Sequence, residues 1–378
     1  MVSFGGWLFC RDVGAPVVAD GLVLDGLTKR YGAVTPLDRI SLSIPDDTYV
    51  SLLGPSGSGK TVLLRVIAGF EAPDAGSVRL GGRALDDVPA HLRGIGFVFQ
   101  NFALFPHLSV RENIAFGLAH RAVGAVRDSA ALRRRVDDMI ALVGLQGLAE
   151  RGVHQISGGQ RQRVALARTL ITEPKLVLLD EPLGALDANL RLRMRGELRH
   201  IREHLGITFL HVTGSDTEAL AIGDRVIVLD RGSVAQFDTP DAVYNRPSSA
   251  QVARFLNCYN IFRGRREGGR FISDAAAFPV GAATAGRNRG GEEATYCIRQ
   301  DLIEIRDGHT ATGSSEAAME AAFVTSEYSG ASVTYFFETP LGEPVEVSAH
   351  LGHRRPVDLE PRRRYMLAWD ASRAVVFG

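Results

Sequence analysis

Gly54, Pro55, Ser56, Gly57, Ser58, Gly59, Lys60 and Thr61 stand in the order G-x-x-x-x-G-K-[ST]. Glycines at this spacing let backbone N–H groups turn inward around phosphate oxygens. Lys60 brings a positive charge to the β- and γ-phosphates of a nucleotide, and Thr61 offers a hydroxyl to Mg²⁺. The flanks suit that task. Residues 49–53 predict a buried strand before the loop, and residues 62–68 predict a helix after it, ended by Gly69. A helix N-terminus favours anions, so phosphate has a natural seat there.

A second segment adds carboxylates. Residues 175–182 predict a hydrophobic strand that delivers Asp180 and Glu181 at its C-terminal end, the end at which open α/β sheets bind ligands. An aspartate there can hold Mg²⁺ through water, and a following glutamate can orient the water that attacks a γ-phosphate. A third segment is ambiguous by itself. Ser157 and Gln160 form an S-x-x-Q capping box before the apolar face of Val164, Ala167, Leu170 and Ile171. It either only starts a helix, or it also exposes the N–H groups around Gly158 and Gly159 to a phosphate.

The elements that position these groups alternate along the chain. Residues 22–27, 40–44 and 77–80 predict strands, with a turn at Gly81 and Gly82; residues 96–99 predict another, ending at Gln100. Val136, Met139, Ile140 and Val143 recur at helical spacing and mark a helical insertion over about 107–155. The apolar runs 176–179 and 207–212 predict strands covered on both faces, with helices between them, hence a parallel α/β sheet. Residues 263–291, rich in Gly, Arg and Ala, predict loops or weak strands. Residues 294–305, 321–338, 343–349 and 364–377 predict short strands of a small barrel or sandwich. The division expected is an extension over 1–20, poorly ordered, then a nucleotide-binding domain over 21–245 and a β-domain over 246–378.

Composition narrows the class. The chain has 378 residues and a formal net charge of zero, which gives no support to a basic nucleic-acid surface. Cys10, Cys258 and Cys297 are too scattered for a disulfide framework or a zinc site and suit a reducing compartment. No run approaches the about 20 apolar residues of a membrane span. Residues 1–10 lack the basic start and cleavage site of a signal peptide. Work at a membrane would therefore require docking onto another protein.

Taken together, the motifs resemble the ATP-binding cassette (ABC) ATPases over residues 22–245. Ile156, Ser157, Gly158, Gly159 and Gln160 resemble the LSGGQ signature, and Gly184, Ala185, Leu186 and Asp187 the D-loop after the Walker B strand. The strand ending at Gln100 resembles the Q-loop, and residues 27–32, with Tyr31, the A-loop. The resemblance implies a phosphate-loop NTPase fold with a parallel core sheet, an antiparallel β subdomain and a helical subdomain. It implies that two cassettes, most simply a homodimer, pair head to tail around ATP. Tyr31 would stack on adenine, and residues 54–61 would hold phosphates. Thr61, Asp180 and Gln100 would attend Mg²⁺, with Gln100 also sensing the membrane partner. Glu181 would act on water, and Ser157, Gly159 and Gln160 would complete the opposite site.

One position departs from the family. Importer cassettes carry a Thr-His-Asp segment whose histidine contacts the γ-phosphate; here Gly214 occupies that place, and His211 lies three residues earlier, expected to be packed or solvent-facing. Hydrolysis either proceeds without the imidazole or is weak, leaving a slow or regulatory subunit; losing one contact to developing charge costs about 10²–10³ in rate. The intact Lys60, Glu181 and signature favour activity. Asp230, Arg231 and Gly232, and the residues around Pro240 and Pro247, resemble the end of importer cassettes, and the tail resembles their OB-type transport-associated domain. The subgroup suggested is the maltose, polyamine, ferric iron and sulfate importers, with polyamine favoured. The implied partners are transmembrane permease subunits and, indirectly, an extracytoplasmic solute-binding protein, with no nucleic acid. The implied location is peripheral, at the cytoplasmic face of a bacterial or archaeal membrane. Residues 101–109, with Phe102, Leu104, Phe105 and Pro106, serve either as a permease interface or as internal packing.

Overall fold

The apolar runs of the sequence become strands buried along almost their whole length, as continuous hydrophobicity in a parallel sheet requires. The computed structural model describes residues 21–120, 128–184, 186–267, 269–274, 276–280, 293–307, 315–353 and 355–378. The extension expected over 1–20, with Cys10, and Ala185 of the D-loop segment lie outside the described residues. Contacts divide the chain into two units, Met1–Val234 and Ala235–Gly378, and the strand Ser233–Asp238 spans the division.

In the first unit the central sheet runs Arg225–Asp230, Tyr49–Leu53, Thr208–Val212, Leu176–Asp180 and Ile95–Val98, with every adjacent pair parallel. Leu52 and Asp180 both pair with Val212, and Val98 pairs with Leu179. The strands therefore stop side by side at their C-terminal ends, where the glycine-rich loop, Glu181, Thr213 and Gln100 begin. An antiparallel sheet runs Val34–Ile44, Leu22–Tyr31, Ala75–Leu80 and Arg83–Ala84. Leu22 and Leu24 alternate inward; a register shift around Gly26, at φ +58°, then brings Leu27 inward too.

The helices Val110–His120, Ser129–Leu142 and Gly158–Leu170 share one core with the central sheet. Val136, Met139, Ile140 and Val143, expected from helical spacing, are all buried in it beside Leu179 and Phe209. Fully buried Asn113 pins the loop 101–109. Its Nδ2 donates to the carbonyls of Phe105, Leu108 and Ser109 at 3.1, 3.2 and 3.0 Å, and its Oδ1 accepts from the Phe105 N–H at 2.9 Å. Phe102 is buried and Leu104 packs on the same core, so much of this apolar loop is internal packing. Half-buried Phe105 lies 4.4 Å from the Phe116 ring and under the Arg168 guanidinium. Among the described residues, no helix is long and apolar enough to cross a membrane.

The second unit holds two five-stranded antiparallel sheets. One runs Ala277–Pro279, Arg270–Ile272, Tyr259–Glu267, Glu293–Arg299 and Val375–Phe377; the other runs Glu304–Arg306, Arg364–Asp370, Glu316–Tyr328, Ser332–Glu338 and Pro344–His350. Three sequence expectations need correction. The strand expected over 294–305 is interrupted by the turn Gln300–Leu302, that over 321–338 is two strands, and that over 364–377 is interrupted by the short helix Ala371–Arg373. Tyr259–Glu267 is a full strand despite its arginines: Tyr259, Asn260 and Phe262 are buried, Arg263 and Arg265 are exposed, and Arg266 is buried. Gly264 serves close packing there: a Cβ would stand 2.2 Å from the Ile272 carbonyl oxygen. Trp369 is core, as its size predicts, and its Nε1–H donates to the Tyr296 hydroxyl at 2.9 Å.

Candidate active site

The glycine-rich loop joins Tyr49–Leu53 to the helix Lys60–Ala68. Gly57 and Gly59 have φ of +79° and +102°, conformations that favour glycine. At Gly59 a Cβ would also meet the Pro36 carbonyl oxygen at 2.2 Å. The Ser58 N–H closes a turn onto the Pro55 carbonyl at 3.2 Å, while the Ser58 Oγ is buried with no hydrogen-bond partner. Buried Lys60 directs its Nζ to the carbonyls of Gly54 and Pro55 at 2.7 and 2.9 Å. Burial pulls the Lys60 ammonium below its ordinary value, and the charges of Glu181 and Asp180 act against that. Glycine cradle, orphan hydroxyl and convergent ammonium fit the phosphates of a nucleotide.

The carboxylates lie beside this loop. The Thr61 hydroxyl donates to Asp180 Oδ1 at a long 3.4 Å. Burial, then repulsion from Glu181, raises the Asp180 carboxyl above its ordinary value; the Thr61 hydrogen bond and the charges of Arg65 and Lys60 oppose the rise. A carboxylate beside a hydroxyl is a donor set suited to a hydrated Mg²⁺, which would supply a positive charge to phosphate oxygens when bound. Glu181 has φ +46°, uncommon for a side-chain-bearing residue. Three hydrogen bonds hold it: its N–H donates to the Val212 carbonyl at 3.1 Å, its carbonyl accepts from the Gly184 N–H at 3.1 Å, and its Oε2 accepts from Gln100 Nε2 at 3.2 Å. Lys60, Thr61, Asp180, Glu181 and Gln100 are thus brought together, as the sequence suggested.

Other expected residues stand apart. Ser157 and Gln160 form the reciprocal capping box, with Oγ accepting at 3.3 Å and Oε1 accepting at 2.8 Å. Gly159 packs against the Leu190 side chain. Among the described residues these three make no hydrogen bond to the phosphate loop. Tyr31 is 48% exposed in the antiparallel sheet, its hydroxyl bonded to Glu71 and its ring 5.4 Å from the Lys29 ammonium, so a ring face remains available for stacking. Asp187 caps the helix Ala188–Leu205.

Gly214 lies in open space, with no atom within 4 Å of a Cβ built there. His211 is fully buried, which settles its alternatives in favour of packing. Its Nδ1 lies 2.9 Å from the Tyr49 hydroxyl and its Nε2 3.0 Å from Glu218. Sequence reasoning missed Tyr49 and Glu218 as polar partners. The available signal was a histidine inside an otherwise apolar strand, followed by a glutamate on the inward face of the next helix, beside Ala219 and Ile222.

This strand–loop–helix site defines a phosphate-loop nucleotide-binding cassette, and known proteins place it in a family. Residues 37–184 match the ABC transporter family and residues 296–377 match the TOBE domain. The chain belongs to the ABC transporter family. It is 39% identical over 374 residues to the spermidine/putrescine import ATP-binding protein PotA of Rubrobacter xylanophilus, a match covering 97% of this chain and 96% of that one. It is 40% identical over 328 residues to the sulfate/thiosulfate import ATP-binding protein CysA of Caulobacter vibrioides, covering 87% and 92% respectively. Among solved structures, the dimeric post-hydrolysis state of the ATP-binding cassette MJ0796, bound to ADP and Pi, is similar at 32% identity and a TM-score of 0.52. That match covers 58% of this chain and 98% of that one. The chain is accordingly an ABC-type ATPase subunit of an importer, with a C-terminal OB-like domain.

Proposed function

We propose that this subunit hydrolyses Mg²⁺-ATP between two copies of itself to drive uptake of a small solute, polyamine-type in preference to sulfate. Residues 54–61 hold the phosphates, and Tyr31 stacks on the base. Thr61 and Asp180, with Gln100, attend the metal. Glu181 orients water. Ser157, Gly159 and Gln160 of the second copy close the site. The alignment of the strand ends carries this reading, because it gathers Lys60, Asp180, Glu181 and Gln100 at one edge of the sheet. The capping box suits an intermolecular role, since it sets a helix N-terminus, which favours anions, at a partly exposed position. The dimeric state of MJ0796 supports pairing of cassettes. Relatives spanning nearly the full chain are a polyamine and a sulfate import protein, and the longer match is to the polyamine one. The subunit would work at the cytoplasmic face of the membrane of a bacterium or archaeon, docked on permease subunits that receive solute from an extracytoplasmic binding protein.

Phosphate release by the full-length chain tests the chemistry. Wild type is expected to hydrolyse Mg²⁺-ATP, and Glu181→Gln to lose about 100-fold or more; equal rates overturn the role of Glu181. Gly214→His is expected to leave hydrolysis intact or raise it. Reconstituted with its permease and binding protein, the subunit should be stimulated by spermidine; stimulation by sulfate alone refutes the polyamine assignment.

A further inference from the structure

His211 lies three residues before Gly214, and each of its ring nitrogens faces a polar side chain. The Tyr49 hydroxyl meets Nδ1 at 2.9 Å from the strand that feeds the phosphate loop, and Glu218 meets Nε2 at 3.0 Å from the helix Asp216–Ile222. All three residues are buried. Burial, then the charge of Glu218, keeps the Tyr49 hydroxyl protonated far beyond neutral pH. It therefore donates to Nδ1, which leaves the ring proton on Nε2, 3.0 Å from the Glu218 carboxylate but out of line for a hydrogen bond to it. Burial alone would raise the Glu218 carboxyl, but the neighbouring His211 and Thr213 side chains and the charge of Arg191 outweigh it and hold the group below its ordinary value. Glu218 thus lies against the strand at His211 and against the Gly214 loop at Thr213.

This cluster bears on Glu181 through the backbone. Val212, the neighbour of His211, supplies the carbonyl that accepts the Glu181 N–H at 3.1 Å, and the Thr213 N–H returns to the Leu52 carbonyl at 3.2 Å. Glu181 needs such a grip because its φ is +46°. Gly214 offers no side chain that could steady the loop from above. We propose that His211 is a positioning residue for Glu181: held between Tyr49 and Glu218, it fixes the strand end whose Val212 carbonyl keeps Glu181 in its unusual backbone conformation. The link to hydrolysis rests on the reading of Glu181 as the residue that orients water.

Two readouts on the full-length chain test it. Amide hydrogen exchange at Glu181 reports the grip directly, and Mg²⁺-ATP turnover reports its consequence. His211→Ala is expected to speed exchange at Glu181 by about tenfold, the effect of one hydrogen bond, and to lower kcat by a similar factor with KM within about threefold. His211→Gln, whose amide can accept from Tyr49 and donate to Glu218, is expected to restore both. Glu218→Leu removes the partner with the ring in place, so a poorly folding His211→Ala does not rescue the idea. Unchanged exchange at Glu181 in His211→Ala and Glu218→Leu overturns the proposal, as does a His211→Gln variant no better than His211→Ala. Wild type and Glu181→Gln hydrolysing alike would instead remove the role of Glu181 in catalysis, while exchange still decides the grip.

Discussion

Asn113→Ala is expected to destabilise the first unit by about 2–4 kcal/mol. The side chain is fully buried and serves four backbone groups of the loop 101–109. Its NH₂ has two hydrogens for three carbonyls, so the set amounts to roughly three hydrogen bonds, each worth about 1 kcal/mol net. Groups left buried without a partner add about 1–3 kcal/mol, less whatever the loop recovers by opening to water. Because the loop follows Gln100, such opening also loosens that residue. The assay is urea denaturation of wild type, Asn113→Ala and Asn113→Asp, with the slope checked for constancy. The Asp variant supplies the sign test. A carboxylate can still accept from the Phe105 N–H, but it faces three carbonyl oxygens with no hydrogen to give, so Asp is expected to fall below Ala. A loss under about 1 kcal/mol for Ala, or Asp as stable as Ala, refutes the reasoning.

Gly59→Ala is expected to abolish nucleotide binding, measured by a fluorescent ATP analogue, because a Cβ would strike the Pro36 carbonyl at φ +102°; retained affinity refutes the tight cradle. Trp369→Phe is expected to cost about 1–3 kcal/mol by stranding the Tyr296 hydroxyl, seen in thermal melts of the full chain. Spectroscopic titration should find the Tyr296 phenol, pushed up to about 12 mainly by burial, un-ionised at pH 10. Glu218 is held below its ordinary value of 4.5 in the folded chain, so its contribution to stability is present above that value and is lost as pH falls through the folded-state value. Glu218→Gln should therefore lose stability at pH 7 and show a shallower acid limb in a pH series of denaturation curves; parallel curves at all pH values contradict the shift.

The candidate site was legible because its residue types are forced. A left-handed loop requires Gly57 and Gly59, and a strand end carrying Asp180 and Glu181 has no apolar explanation. The parallel sheet was legible because residues buried on both faces form unbroken apolar runs. Long-range polar pairing was not. Tyr49 and Glu218 meet His211 across 162 residues in one case and across a strand-to-helix turn in the other, and no local period records such a meeting. In the β-domain, arginine-rich Tyr259–Glu267 hid a strand, because long charged side chains can lie along a sheet and reach water at their tips. The turn Gln300–Leu302 was hidden for the opposite reason, since its leucine and the following Ile303 continue an apolar pattern through a corner.

The open space around Gly214 separates two kinds of change that usually travel together in an enzyme. The strand before it ends at Val212, the next helix begins at Asp216, and nothing packs on the position between. A side chain introduced there meets open space and not the core, so residues can be exchanged at this one position while the melting temperature stays put.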